Sequence, residues 1–216
     1  MSSEPIRDPL SDHLLTPQNA AFILIDYQPV QVQSIASMDR QLMLNNIAGC
    51  AKAAIAYGLP IIHSTVNVQT GLNKPPVPHV AKVLKDYPTY DRTSINSWED
   101  VEFRKAVKDA GRRKLIMTAL WTEACLTFPA LDALAEGYEV YVPVDAVGGT
   151  SLYAHDAALR RIEQAGGKLI STVQLFCELQ RDWKRSETVP AFLDLFISTG
   201  GTPAIQFSFD RNEEKK

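Results

Sequence analysis

The segment "RKLIMTALWTEACLTFPALDALAEG", residues 113–137, decides the fold. Lys114 to Leu120 is a strand-like apolar run. The residues after it open a helix that closes at Gly137, and Cys125 stands about one turn inside. A strand that feeds directly into a helix is half of a βαβ unit. Thr122 is the expected N-cap, which puts Cys125 near the third helical position, within reach of unpaired amides and the positive end of the helix dipole. That placement lowers a thiol's pKa from its usual value near ~8.5 and surrounds it with N–H donors suited to an oxyanion. The competing reading is a buried small hydrophobe, since free cysteine is among the most buried residue types.

The same alternation extends outward. "AFILID" (21–26) is a continuous apolar run, as in a strand buried on both faces. Helical spacing of Met43, Ile47, Ala51, Ala54 and Ile55 predicts a helix over 38–57, stopped by Gly58 and Pro60. "IIHSTV" (61–66) is a strand, 67–80 a Pro-, Gly- and Asn-rich surface loop, and 79–87 a short helix. Ser97 with Asp100 reads as a capping-box variant opening a helix that ends at Gly111. Beyond Gly137 follow a strand over 138–144, a helix over 151–165 with Gly166 after it, a strand over 168–173, and helices near 174–184 and 187–198. The expectation is one α/β domain over 1–216: three layers, doubly wound, around a mostly parallel sheet of about six strands. The core spans roughly 15–185, and 186–216 forms a C-terminal helix and tail. The tail is either an arm on a neighbouring subunit or disordered. The apolar stretch "PAFLDLFISTGGTPAIQF" (190–207) would form a sizeable patch on a monomer, so a homo-oligomer is expected.

Composition excludes several classes. The chain has 216 residues, is 45% hydrophobic, and carries a net charge of −3 with acids and bases interspersed. It lacks the basic stripe of a nucleic-acid binder. No apolar run approaches the ~18 residues of a membrane span, and "MSSEPIRDPLSDHLL" has no signal-peptide pattern. The three cysteines, Cys50, Cys125 and Cys177, are far apart and odd in number. That suits a reducing, cytoplasmic setting.

In open α/β sheets, sites lie at the carboxyl ends of the strands. Asp26, "DRTSINSW" (91–98) and "WTEAC" (121–125) stand there, with Asp145 a lesser candidate. Asp26 follows five apolar residues and must sit at the strand mouth, where it either moves protons for the thiol or caps a loop. Gln28 holds either a loop or a ligand. Asn96, Trp98, Trp121 and Phe128 are candidate pocket walls, although two of the aromatics read equally well as core. The histidines His13, His63, His79 and His155 show no HxH or HxxxH spacing, so no metal is expected. "GGTS" (148–151) is a weak phosphate-site candidate, and no GxGxxG or Walker pattern calls for a nucleotide or other cofactor.

"FILIDYQ" (22–28) and "ALWTEACLTFPALDALAEGYEVYVPVDAVG" (119–148) resemble the isochorismatase-like cysteine hydrolases. "INSWEDVEF" (95–103) and "CELQRDW" (177–183) are similar to the YcaC-like branch of that superfamily. The resemblance implies a triad of Asp, a basic residue and Cys: Asp26 as acid and base, Cys125 as nucleophile. It also implies a thioester intermediate, small amide or related carbonyl substrates, and a multimer. It further implies an oxyanion hole from the backbone N–H groups of Trp121 and Cys125, with a cis Leu120–Trp121 peptide. The superfamily's usual Lys is missing. Arg92 is the nearest basic residue, and Asp91 competes with it for the expected position; an exposed ion pair is the other reading of Arg92. The DxH zinc pattern of related nicotinamidases is also absent after Asp26. The expected function is a metal-free cysteine hydrolase. The alternative is a catalytically weak member that binds a small ligand or senses oxidants through its thiol.

Overall fold

The computed structural model describes residues 6–200, 205–206 and 208–209. Six strands form one all-parallel sheet: β1 (Ala20–Ile25), β2 (Ile61–Val66), β3 (Thr89–Arg92), β4 (Lys114–Ala119), β5 (Glu139–Pro143) and β6 (Lys168–Ile170). Their spatial order is β3-β2-β1-β4-β5-β6. The chain winds outward from β1 to β3, returns to the centre at β4, and winds outward the other way. The switch point between β1 and β4 is where such sheets open a crevice at their carboxyl ends.

Eight helices flank the sheet among the described residues: α1 (Pro29–Gln33), α2 (Arg40–Ala56), α3 (Pro78–Ala81), α4 (Val101–Asp109), α5 (Thr127–Ala135), α6 (Leu152–Gln164), α7 (Thr172–Gln180) and α8 (Val189–Thr199). Side chains alternate across a strand, so β1 supplies both cores. Phe22 and Leu24 pack with Met43 and Ile47 of α2, Phe176 of α7 and Phe196 of α8. Ile23 and Ile25 pack with Phe103 of α4, Ala130 of α5 and Ile162 of α6. With apolar layers on both faces, every residue of β1 and β4 is buried. Burying each large side chain there contributes about 1.5–3 kcal/mol.

Several local expectations change. The edge strand β3 ("TYDR") has no apolar run to announce it. The short helix expected over 79–87 is only α3, Pro78–Ala81. Ser97 opens a single 3₁₀ turn, Ser97–Glu99, and Asp100 is the true cap of α4, its carboxylate accepting from the Phe103 N–H at 2.8 Å. In the C-terminal apolar stretch, Phe192, Leu195 and Phe196 of α8 are buried against the chain's own α2 and α7. Helix α8 approaches so closely that a Cβ on Gly49 would meet the Thr199 methyl at 2.5 Å. The argument for an oligomer from that helix therefore falls. Most of the tail beyond Gly200 lies outside the described residues.

His63 of β2 is a buried polar side chain whose bonds are only half made. It is 2% exposed, its Nδ1 lies 3.2 Å from the Thr89 hydroxyl, and Nε2 is buried without a partner. Burial lowers its pKa from 6.5 to about 4. The unfolded chain therefore takes up a proton near 6.5 that the folded chain resists until about 4, and stability falls as pH drops through that window. At pH 4.5 the loss amounts to about 2–3 kcal/mol. Urea unfolding at pH 7.5 and pH 4.5 tests this: His63→Leu should lose less stability than the wild type by about that amount. Equal losses would contradict it.

Candidate active site

Three segments converge at the switch point. Asp26 directly follows β1 with φ +63°, the left-handed region that aspartate tolerates better than most side chains. Its N–H donates to Ser64 O at 3.0 Å, and its own carbonyl accepts from the Gln28 N–H at 2.8 Å. The turn aims the carboxylate along the carboxyl edge, where Arg92, the last residue of β3, meets it. Arg92 Nη1 donates to Asp26 Oδ1 at 2.8 Å and Nη2 to Oδ2 at 2.7 Å, a two-pronged fork between fully buried side chains. Strand β2 lies between them in the sheet. Ser64 sits at that crossing, its Oγ accepting from Arg92 Nη1 at 3.1 Å and donating to Tyr90 O at 2.8 Å. The Thr65 carbonyl, at 3.1 Å from Nη1, shares the second Nη1 hydrogen with Ser64, and the Ile95 carbonyl lies 3.2 Å from Nη2. Burial alone would lower the Arg92 pKa, but the bonds to Asp26 and its charge outweigh that and raise it. Asp91 points elsewhere: its carboxylate accepts from Thr65 Oγ1 at 2.8 Å and from the N–H groups of Val68 and Gln69 at 3.1 and 2.9 Å. The register question thus resolves with Arg92 facing Asp26.

Cys125 arrives from β4. The chain after Ala119 passes through a cis Leu120–Trp121 peptide and a wide turn, Thr122–Leu126, before α5 begins. The turn is π-like, the Leu126 N–H reaching back five residues to Trp121 O at 3.2 Å. Thr122 is not its cap: Trp121 holds the cap position without a side-chain bond, and Thr122 Oγ1 lies 2.9 Å from His155 Nδ1. Cys125 is 7% exposed, its thiol near enough to the Asp26 carboxylate and the Trp121 N–H for both to act on its pKa. Its pKa is not lowered but pushed up to about 12. Burial is the main cause, followed by the Asp26 charge and the bond to it; Arg92 and the Trp121 amide only partly offset them. The resting group is a thiol beside a carboxylate.

The expected pocket walls divide. Gln28 is a loop clamp: its Nε2 donates to Val66 O at 3.0 Å and Lys74 O at 2.7 Å, while Oε1 accepts from the Val66 N–H at 3.0 Å. Both amide hydrogens are engaged, so it is not placed to hold a ligand. Asn96 caps the 3₁₀ turn through the Trp98 N–H at 3.1 Å and donates to Asp132 at 2.7 Å. Trp98 is core, 4% exposed, edge-on to Phe103 and Tyr138, with its indole N–H on Glu136 at 3.0 Å. Phe128, at the start of α5, keeps 36% exposure. Trp121 lies over the segment after β1, its indole N–H donating to Ser34 Oγ at 2.6 Å. Asp145 accepts from the N–H and hydroxyl of Thr172, both at 2.8 Å, and so belongs to the start of α7. "GGTS" gives α6 its cap, Ser151 Oγ accepting from the Ala154 N–H at 3.1 Å. Ser64 and the carbonyls of Thr65 and Ile95 carry no sequence signal, because a small hydroxyl inside an apolar strand marks no function by itself.

The chain belongs to the isochorismatase family, whose domain model matches residues 20–174. It is 35% identical over 171 residues to the probable hydrolase YcaC of Escherichia coli K12, covering 79% of this chain and 82% of that one. A crystal structure of E. coli YcaC, described as an octameric hydrolase of unknown specificity, superposes with a TM-score of 0.86 at 30% identity, covering 99% of this chain and 100% of that one. YcaC from Pseudomonas aeruginosa, solved with covalent acrylamide, gives 0.85 at 29% identity, covering 94% and 98%. A Bacillus subtilis nicotinamidase shares the fold at 15% identity, with a TM-score of 0.60 over 71% of this chain and 99% of that one.

The thiol's environment makes a signed prediction. Asp26→Asn removes the negative charge that raises the Cys125 pKa and leaves the Arg92 charge that lowers it. Iodoacetamide alkylation of Cys125 at pH 8, followed by peptide mass spectrometry, should therefore be at least about tenfold faster in Asp26→Asn than in the wild type. A slower or unchanged rate would contradict the account.

Proposed function

We propose that this chain is a metal-free cysteine hydrolase that cleaves a small amide or related carbonyl substrate through a thioester on Cys125. The observation that carries the reading is the buried Cys125 thiol beside Asp26, a carboxylate itself held by both prongs of Arg92. The sulfur attacks the carbonyl carbon as its proton passes to Asp26. The N–H groups of Trp121 and Cys125 take the oxyanion. The intermediate collapses, the C–N bond breaks, and Asp26 returns the proton to the departing amine. Water then attacks the thioester, giving its proton to Asp26, and Cys125 leaves as thiolate to be reprotonated. Arg92 stays charged throughout, because its pKa is too high for a shuttle. It fixes the carboxylate, and all proton movement runs through Asp26.

The burial of Cys125, 7% exposed, speaks against the oxidant-sensor alternative, since susceptibility to peroxide follows exposure as well as thiolate character. Homo-oligomerisation is part of the proposal. Val30, Leu72, Ile95 and Tyr153 are exposed in segments that follow β1, β2, β3 and β5, an apolar rim suited to a second copy, and the E. coli relative is octameric. Three free cysteines support a cytoplasmic setting, and among the described residues no helix is long and apolar enough to cross a membrane.

A panel of small aliphatic and aromatic amides, read by ammonia release, tests the reading. A turned-over amide should lose all Cys125-dependent release in Cys125→Ala and about 10²–10⁴-fold in Asp26→Asn. Release that persists in Cys125→Ala would remove the nucleophile from the account.

A further inference from the structure

The turn that carries the Trp121 and Cys125 amides is fastened from outside the triad. Leu120 pairs with Gly148 as an isolated bridge, and the Thr122 N–H donates to Gly148 O at 2.9 Å. Thr122 Oγ1 meets His155 Nδ1 at 2.9 Å, in the first turns of α6. Glu123 Oε1 accepts from both the N–H and the hydroxyl of Thr150, at 3.0 and 2.6 Å. Between these contacts lies Gly149, where a Cβ would stand 2.6 Å from Glu123 Oε2 and 3.1 Å from the His155 Cβ. A side chain at this position would have to displace the Glu123 carboxylate and crowd His155. Gly149 in turn donates to Ser37 Oγ at 3.0 Å and accepts from the Ala36 N–H at 3.1 Å. That links the nucleophile turn to the segment descending from Asp26.

We infer that the Glu123–Thr150 and Thr122–His155 pairs, closed over Gly149, form a clasp that positions the oxyanion-binding amides of the Cys125 turn. The inference rests on the hydrolase reading. Glu123, Thr150 and His155 act as positioning residues, since none of them touches the thiol. The π-like turn has no side-chain cap at its start. Its own bonds run from the Ala124 and Leu126 N–H groups to Trp121 O and from the Thr127 hydroxyl to Thr122 O, leaving the outer face of Thr122 and Glu123 to be fixed from elsewhere. The clasp fixes that face, and its sequence source is the "GGTS" motif, which serves as the receiving half of the fastening.

Two reagents separate positioning from mere folding. Acylation of Cys125 by p-nitrophenyl acetate forms the S–C bond, expels p-nitrophenolate and passes through an oxyanion that needs the amides. Methyl methanethiosulfonate reacts at the same sulfur, forming a disulfide and releasing methanesulfinate, with no oxyanion. The ratio of the two rates at Cys125, with Cys125→Ala as background, should fall about tenfold in Thr150→Val, the size of a modest loss of orientation. It should return to near the wild-type value in Thr150→Ser, which keeps the hydroxyl. His155→Gln, probing the other pair, should lower the ratio similarly. An unchanged ratio in both Thr150→Val and His155→Gln, with the wild type acylating normally, would overturn the clasp alone. No Cys125-dependent acylation in the wild type would overturn the hydrolase reading and the clasp with it.

Discussion

The fork between Asp26 and Arg92 sets the terms for everything at the carboxyl edge of the sheet. Two opposite charges with no solvent exposure are tolerable only when nearly every bond is made. Here the carboxylate uses both oxygens on the guanidinium, and the remaining Nη hydrogens go to Ser64, Thr65 and Ile95, while Nε is buried without a partner. Removing one partner leaves the other buried and unpaired, a destabilisation of about 3–5 kcal/mol. The pair therefore fixes the spacing of β1, β2 and β3, with the small Ser64 at the crossing. It also explains why an aspartate stands at φ +63°, where the backbone turns its carboxylate to the fork.

The same pair governs the thiol. Burial first, and then the Asp26 charge, keep the proton on sulfur, and the Arg92 charge only partly offsets them. In the proposed mechanism such a thiol reacts when a carbonyl arrives to receive the electron pair as the proton leaves, with backbone amides ready for the oxygen. Arg92 would then steady the proposed base without competing for its proton.

Much of this architecture is legible in the sequence, because buried parallel strands announce themselves. "AFILID" and "KLIMTAL" have no reading but strands covered on both faces, and a charge at the end of one must lie at its mouth. The edge strand β3 is different. Half-exposed and polar, it has no periodicity, and only its pairing with β2 reveals that Arg92 and not Asp91 faces Asp26. The thiol's pKa is hidden for another reason. A helix-start argument counts the amides local to Cys125 but not a carboxylate brought from 99 positions earlier in the chain. The sequence leaves Gln28 open between a loop and a ligand, and offers Asn96 and Trp98 as candidate pocket walls with core as the other reading of the aromatics; each is consumed by backbone or core contacts that depend on tertiary packing.

The most direct test is to catch the bond the mechanism requires. Turnover of an amide found by screening is quenched in acid within milliseconds to seconds, and the Cys125 peptide is weighed by mass spectrometry. The account predicts an added acyl mass on that peptide alone, removable by hydroxylamine, appearing no later than the first equivalent of amine. Amine release at full rate with Cys125 unmodified at every time point would contradict it.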